Sequence, residues 1–139
     1  MSEALDSILA GLATNLLTIT SPSQMQAFAY LPDAFTTPAA VSTVTSVEYH
    51  ESGGAYGIIE TTVTVLVART DARQAQITMQ QFMDPSGSTS VKAAIESDTT
   101  LGGLVSDLIV TKATRGPAVT VGTDAKVYLT CDFDVTIYP

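Results

Sequence analysis

The chain contains no tryptophan, one cysteine, one histidine and only six lysines and arginines among its 139 residues. The single cysteine, Cys131, cannot close an internal disulfide, so nothing points to a stapled secreted scaffold. One cysteine and one histidine cannot furnish a tetrahedral zinc site. Six basic residues against fourteen acidic ones leave a formal net charge of −8 and a sequence pI near 4.2, the wrong balance for a protein that grips phosphate backbones. Charged residues amount to 14%, against roughly 25% in an average soluble domain. No apolar run approaches the roughly 18 residues of a membrane span. The opening MSEALDS lacks the positively charged region of a signal peptide, so the protein is expected to be made and used without crossing a membrane.

What is present is largely aliphatic: hydrophobic residues make up 45% and aromatics 6%. That composition argues against disorder and can fill one core without metal or disulfide staples. The length suits one domain spanning 1–139, not two. With so little charge, much of the surface falls to Thr, Ser, Gln and small residues, as on surfaces that other subunits cover.

The apolar spacing predicts an amphipathic helix over residues 2–17, with Ser2 as N-cap and Glu3 and Asp6 at the positive end of the dipole. Its stripe is Leu5, Ile8, Leu9, Leu12 and Leu16, while Gly11 and Thr14 weaken it modestly. Residues 24–42 hold Phe28, Tyr30 and Phe35 among Pro32 and Pro38 and read as an extended connector anchored by its aromatics. Strands are expected over 43–50 and 57–68, joined by a glycine-rich loop. Thr70 or Asp71 caps a second helix over 72–83, which ends at Asp84-Pro85-Ser86-Gly87. Ser90 can cap a short helix over 91–97 that presents Val91, Ala94 and Ile95. Leu101-Gly102-Gly103-Leu104 reads as a turn or a short, poorly forming helix. A strand over 107–114 follows, then a short one over 118–121 and a long last strand. In that last strand Val127, Leu129, Cys131, Phe133, Val135 and Ile137 alternate with Tyr128, Thr130, Asp132, Asp134, Thr136 and Tyr138, the mark of an antiparallel, half-buried strand. The fold class is therefore α+β, a mostly antiparallel sheet with helices packed on one face.

Residues that could carry chemistry are few. His50 begins the flexible loop beside Glu51 and could serve as a general base, although a solvent-exposed strand end explains it as well. Cys131 falls on the apolar face of the last strand, where a buried core thiol is the simpler reading. Asp132 and Asp134 share one face, which suits acid–base work and equally a wet sheet surface. The Gly53-Gly54 and Gly102-Gly103 pairs lack the context of a phosphate-binding loop, and no Gly-x-Ser-x-Gly elbow occurs. No cofactor and no metal are expected, and the protein is not expected to be an enzyme.

Several segments, in order, resemble the tail terminator proteins of long-tailed bacteriophages. They are the N-terminal helix, AYLPDAFTTPAAV, the strand with Glu48-Tyr49-His50 and its glycine loop, and TVTVLVARTDARQAQITMQQFMD. SGSTSVKAAIESDTTLGGLVSDLIVTKA and the closing YLTCDFDVTIY complete the series. Most of the weight lies between Val63 and Thr111, where Arg69, Asp71 and Arg73-Gln74-Ala75-Gln76 precede a Ser/Gly loop, SVKAAIE and TLGGLV.

The resemblance implies a structural virion protein of the tail and neck region, assembled in the host cytoplasm as a hexameric ring. Such a ring caps the head-proximal end of the tail tube, meets the tail tube protein below and the head–tail connector or stopper above, and lets DNA pass through its lumen. Six copies at −8 each would repel a duplex that carries about one charge per 1.7 Å, so that DNA slides without sticking. The loop residues His50, Glu51, Ser52, Gly53, Gly54, Ala55, Tyr56 and Gly57 are candidates for interaction with tube or lumen. A head–tail stopper or other neck connector is the nearest alternative; a small enzyme or ligand-binding domain using His50 and its loop is the other. Replacing His50 by Ala separates the last from the first two: a catalysed turnover would be abolished, whereas tail joining survives unless the loop is itself an interface.

Overall fold

The computed structural model describes residues 5–19, 25–28, 38–49, 56–68, 72–87, 89–103, 105–116, 119–121 and 126–138. Its elements run α1 (Leu5–Leu16), β1 (Gln26–Phe28), β2 (Ala39–Tyr49), β3 (Tyr56–Ala68), α2 (Ala72–Met83), α3 (Val91–Ile95), β4 (Asp107–Arg115), β5 (Val119–Val121) and β6 (Lys126–Tyr138). The strands form one sheet in the order β1-β2-β3-β6-β4, and β5 pairs with the start of β6. All pairings are antiparallel except β1 with β2. This is the expected α+β architecture.

All three helices bury their apolar stripes in one cluster against one sheet face. From α1 come Ile8, Leu9, Leu12 and Leu16, from α2 Met79 and Phe82, and from α3 Val91, Ala94 and Ile95. Opposite them lie Ile59, Val63 and Val65 of β3 and Cys131, Phe133, Val135 and Ile137 of β6. Each large aliphatic or aromatic side chain so buried contributes about 1.5–3 kcal/mol.

The outer strands reach this core by a change of phase. On β2 the core-facing residues are Ala40 and Val44 and then Val47; on β4 they are Leu108 and Val110 and then Ala113. Each spacing of three contains one extra residue, Thr45 on β2 and Thr111 on β4, where the register shifts. A β-bulge absorbs one residue and keeps the apolar side chains on the buried face. A third register shift sets Tyr49 opposite Tyr56 and leaves Gly57 as the extra residue. A Cβ on Gly57 would lie 3.1 Å from the Glu48 carbonyl oxygen, which accounts for glycine there.

Polar contacts tie the helices down. The buried Asn15 donates through Nδ2 to the carbonyls of Ile95 (2.9 Å) and Asp98 (3.1 Å), which fastens α1 to the end of α3. Ser90 accepts from the Ala93 amide at 3.1 Å and caps α3 as expected. Beyond α3, Leu101 adopts a φ of +51° yet is buried, and a Cβ on Gly11 would come within 3.1 Å of its Cβ. Gly11, read from sequence only as a weak point of the helix, is where α1 and this turn approach.

Several expectations are corrected. The segment 24–42 is no simple connector, because it contains β1 and the first residues of β2, whose parallel pairing joins Gln26–Phe28 to Ala39–Val41. Tyr56 and Gly57 belong to β3, not to the loop. The third helix ends at Ile95, two residues short of the expected 97. On β6, Tyr128 and Thr130 are buried although the alternation put them on the polar face. Tyr128 joins Val41, Leu66 and Phe28 in a small second cluster on the helix-free face. The expected caps Ser2, Thr70 and Asp71 lie outside the described residues.

Two core-facing hydroxyls, Ser42 Oγ and Thr61 Oγ1, are buried without a hydrogen-bond partner. Such an unpaired group costs about 1–3 kcal/mol, and valine reproduces the shape of threonine without it. Thr61→Val is expected to stabilise the fold by ~1 kcal/mol, a rise of roughly 3 °C in Tm for a chain of this length, measurable by thermal denaturation.

Candidate functional site

The helices leave the opposite sheet face uncovered at the level of the two outer bulges. There the alternating residues of β3 and β6 are Glu60, Thr62 and Thr64 and Asp132, Asp134 and Thr136. The Thr64 hydroxyl donates to Asp132 Oδ1 at 2.8 Å across the central ladder. Thr45 Oγ1 donates to the Glu60 carbonyl at 3.0 Å, and Thr111 Oγ1 donates to the Asp134 carbonyl at 3.3 Å. The bulges stand on either side of the central pair and bound a trough of about 360 Å³, whose walls include Thr45, Glu60, Thr62, Thr111, Asp134 and Thr136. Hydroxyls and carboxylates thus line the face, with Lys112 as the cation opposite Asp134 in the register.

The sequence-predicted loop does not meet this trough as one unit. His50, Glu51, Ser52, Gly53, Gly54 and Ala55 lie outside the described residues, whereas Tyr56 and Gly57 begin β3 opposite the end of β2. Among the described residues, no group of three or more His, Cys, Asp and Glu is arranged to hold a metal ion. Likewise, no described helix is long and apolar enough to cross a membrane.

Cys131 is fully buried in the core, as its place on the apolar face predicted. Burial, reinforced by the charge of Asp132, pushes its thiol up to about 11 against the smaller opposing effects of Arg115 and a Thr114 backbone hydrogen bond. At neutral pH it is a thiol, not a thiolate nucleophile. The trough residues Thr45 and Thr111 escaped the sequence reading, although the three-residue apolar spacings Val44–Val47 and Val110–Ala113 mark the bulges that place them.

A second arrangement guards the β4 edge. The Glu96 carboxylate binds Lys92 Nζ at 2.6 and 2.7 Å and also accepts the Val110 amide at 3.0 Å. Burial raises the Glu96 pKa, but the hydrogen bonds from Lys92 and Val110 and the charge of Lys92 outweigh it, and the group lies below its ordinary value. In the turn after α3, hydrogen bonds from the Thr100 hydroxyl and amide and the Gly102 amide likewise hold the exposed Asp98 low.

No protein-family model matches the chain, and no curated protein matches it.

A carboxylate depressed in the folded state stabilises fully above its unfolded pKa and loses that contribution as pH falls through the folded value. Glu96→Gln is therefore expected to lower stability at pH 7, and its deficit relative to wild type is expected to shrink as pH falls through the acidic range, which urea denaturation at a series of pH values reads directly.

Proposed function

We propose that the protein is a structural component of a long-tailed phage virion, a tail terminator. It caps the head-proximal end of the tail tube as a ring, ends tube polymerisation and supplies the tail-side surface for head–tail joining. DNA passes through the ring without specific binding.

The ordered series of segments from the N-terminal helix to YLTCDFDVTIY motivates this reading. The structural observation that carries it is the helix-free face. Its exposed Glu48, Glu60 and Asp134, with the half-buried Asp132 and the threonines between them, form a broad acidic and hydroxylic surface on a rigid sheet. Turned toward a lumen, such a face repels phosphate while its hydroxyls stay hydrated. A conduit for DNA needs that combination, and a DNA-binding protein needs the opposite.

Deletion of the gene from the phage that carries it, followed by negative-stain electron microscopy of the lysate, tests the role. Tails of uncontrolled length, unattached to filled heads, are the expected result. Free tails of normal length beside heads that leak DNA would assign the protein to the stopper position instead, and intact particles would overturn the assembly reading.

A further inference from the structure

The outer edge of β4 is closed in its first half and open in its second. The amides of Leu108 and Val110 point away from β6; the first donates to the Asp107 carboxylate at 2.9 Å and the second to Glu96 at 3.0 Å. The Gly116 amide donates inward to the Thr130 carbonyl at 3.1 Å, so past the extra Thr111 the outward-facing residues are Ala113 and Arg115. Among the described residues, neither of these two amides has an outward partner. Lys112 and Arg115 flank Ala113 and are exposed, and no described carboxylate forms an ion pair with either. The register sets Lys112 on the face of Asp134 and Arg115 on the face of Cys131, so the open stretch carries one cation on each side of the sheet. On the helix side, Met83, Pro85, Lys92, Val110, Ala113 and Phe133 border a cleft of about 170 Å³ alongside this edge.

We propose that the open half of the β4 edge docks an extended, acidic segment of a partner protein, which adds to the sheet as a further strand. In strand addition, main-chain hydrogen bonds supply affinity and side chains on alternate faces supply specificity. In the antiparallel sense, a residue opposite Ala113 exchanges both main-chain bonds with it and points its side chain toward the cleft. Carboxylates opposite Arg115 and Lys112 then fall two residues before it and one residue after it. The recognised order is therefore acid, any residue, apolar residue, acid. Charge selects this occupant over a second copy of the chain. Two β4 edges joined over this stretch would set the cations Lys112 and Arg115 against the same cations, and like charges directly opposite destabilise a ladder. An acidic strand meets both with opposite charge. The carboxylates of Asp107 and Glu96 close the first half of the edge and repel such a strand there, which limits the contact to the second half. The inference goes beyond the tail terminator reading and does not rest on it.

Amide NMR of the isotope-labelled full chain tests it. The probe is a blocked octapeptide of threonines with glutamate at its third and sixth positions and isoleucine at its fifth. It is expected to shift the amides of Ala113 and Arg115 saturably. It is expected to bind at least about tenfold more weakly to Lys112→Glu with Arg115→Glu, where two attractive cross-strand pairs become repulsive. Both side chains are exposed, so this variant is expected to fold, which circular dichroism checks. Two altered peptides test the same contact on the wild-type chain. One carries lysine in place of both glutamates; the other carries a methyl group on the isoleucine nitrogen, which removes the donor to the Ala113 carbonyl. Each is expected to abolish the shifts. No saturable shift with the parent peptide, shifts centred elsewhere, undiminished binding to the variant or equal binding of either altered peptide overturns the proposal. So does concentration-dependent broadening of the Ala113 and Arg115 amides in the free chain, which would put a second copy on the edge. Uncapped tails in the deletion lysate with an edge that binds no acidic strand would reject this docking site and keep the terminator reading. Binding at the edge with intact particles would do the reverse.

Discussion

Ten consecutive residue pairs between β3 and β6, from Ile59 with Ile137 to Ala68 with Tyr128, form the spine on which the structure depends. Both strands are 13 residues long, and their ladder carries no register shift. Each presents aliphatic or aromatic groups to one side at nearly every second residue, so the ladder presents a continuous apolar surface to the helices. Every other strand except β1 pairs directly with one of these two. The outer strands must keep their own apolar groups on that buried side while following the twist of the centre. β2 and β4 each meet this requirement with one inserted threonine.

Those insertions shape both faces at once. On the core side they bring Val47 and Ala113 into contact with the cluster. On the other side they leave Thr45 and Thr111 bonded to carbonyls of the central strands, where they border the acidic trough. The trough is thus a consequence of packing requirements in the core. The helices are held by directional contacts as well as by burial: Asn15 joins α1 to α3, and Glu96 joins α3 to β4. The Glu96 contact also occupies an edge amide, one of the ways in which sheets discourage indiscriminate pairing.

The proposed function draws on this division of labour. One face is spent on the core, and the helix-free face keeps a surface poor in cations and rich in hydroxyls. A subunit with such an acidic, hydroxyl-rich face suits the lining of a passage for a polyanion.

Much of this was legible in the residues. Helical spacing located α1, α2 and α3 to within a few residues, and alternation located β3, β4 and β6, because these elements bury one face and the period of the burial is written into the apolar positions. β1 escaped: three residues with no alternation owe their strand form to the edge of β2, a partner far along the chain. The burial of Tyr128 and Thr130 escaped for a similar reason, since the second cluster of Val41, Leu66 and Tyr128 draws on three strands. Gly11 read as a helix weakness until the turn at Leu101 was seen against it. The loop at residues 50–55 was a sequence candidate that the described structure does not place. By itself the sequence determined which of the longer segments bury a face, where they lie to within a few residues, and that the surface would be acidic and hydroxyl-rich. Only the tertiary structure decided which strands are neighbours and where the bulges line a trough. Those features arise from contacts between residues distant in the chain, which local periodicity does not encode.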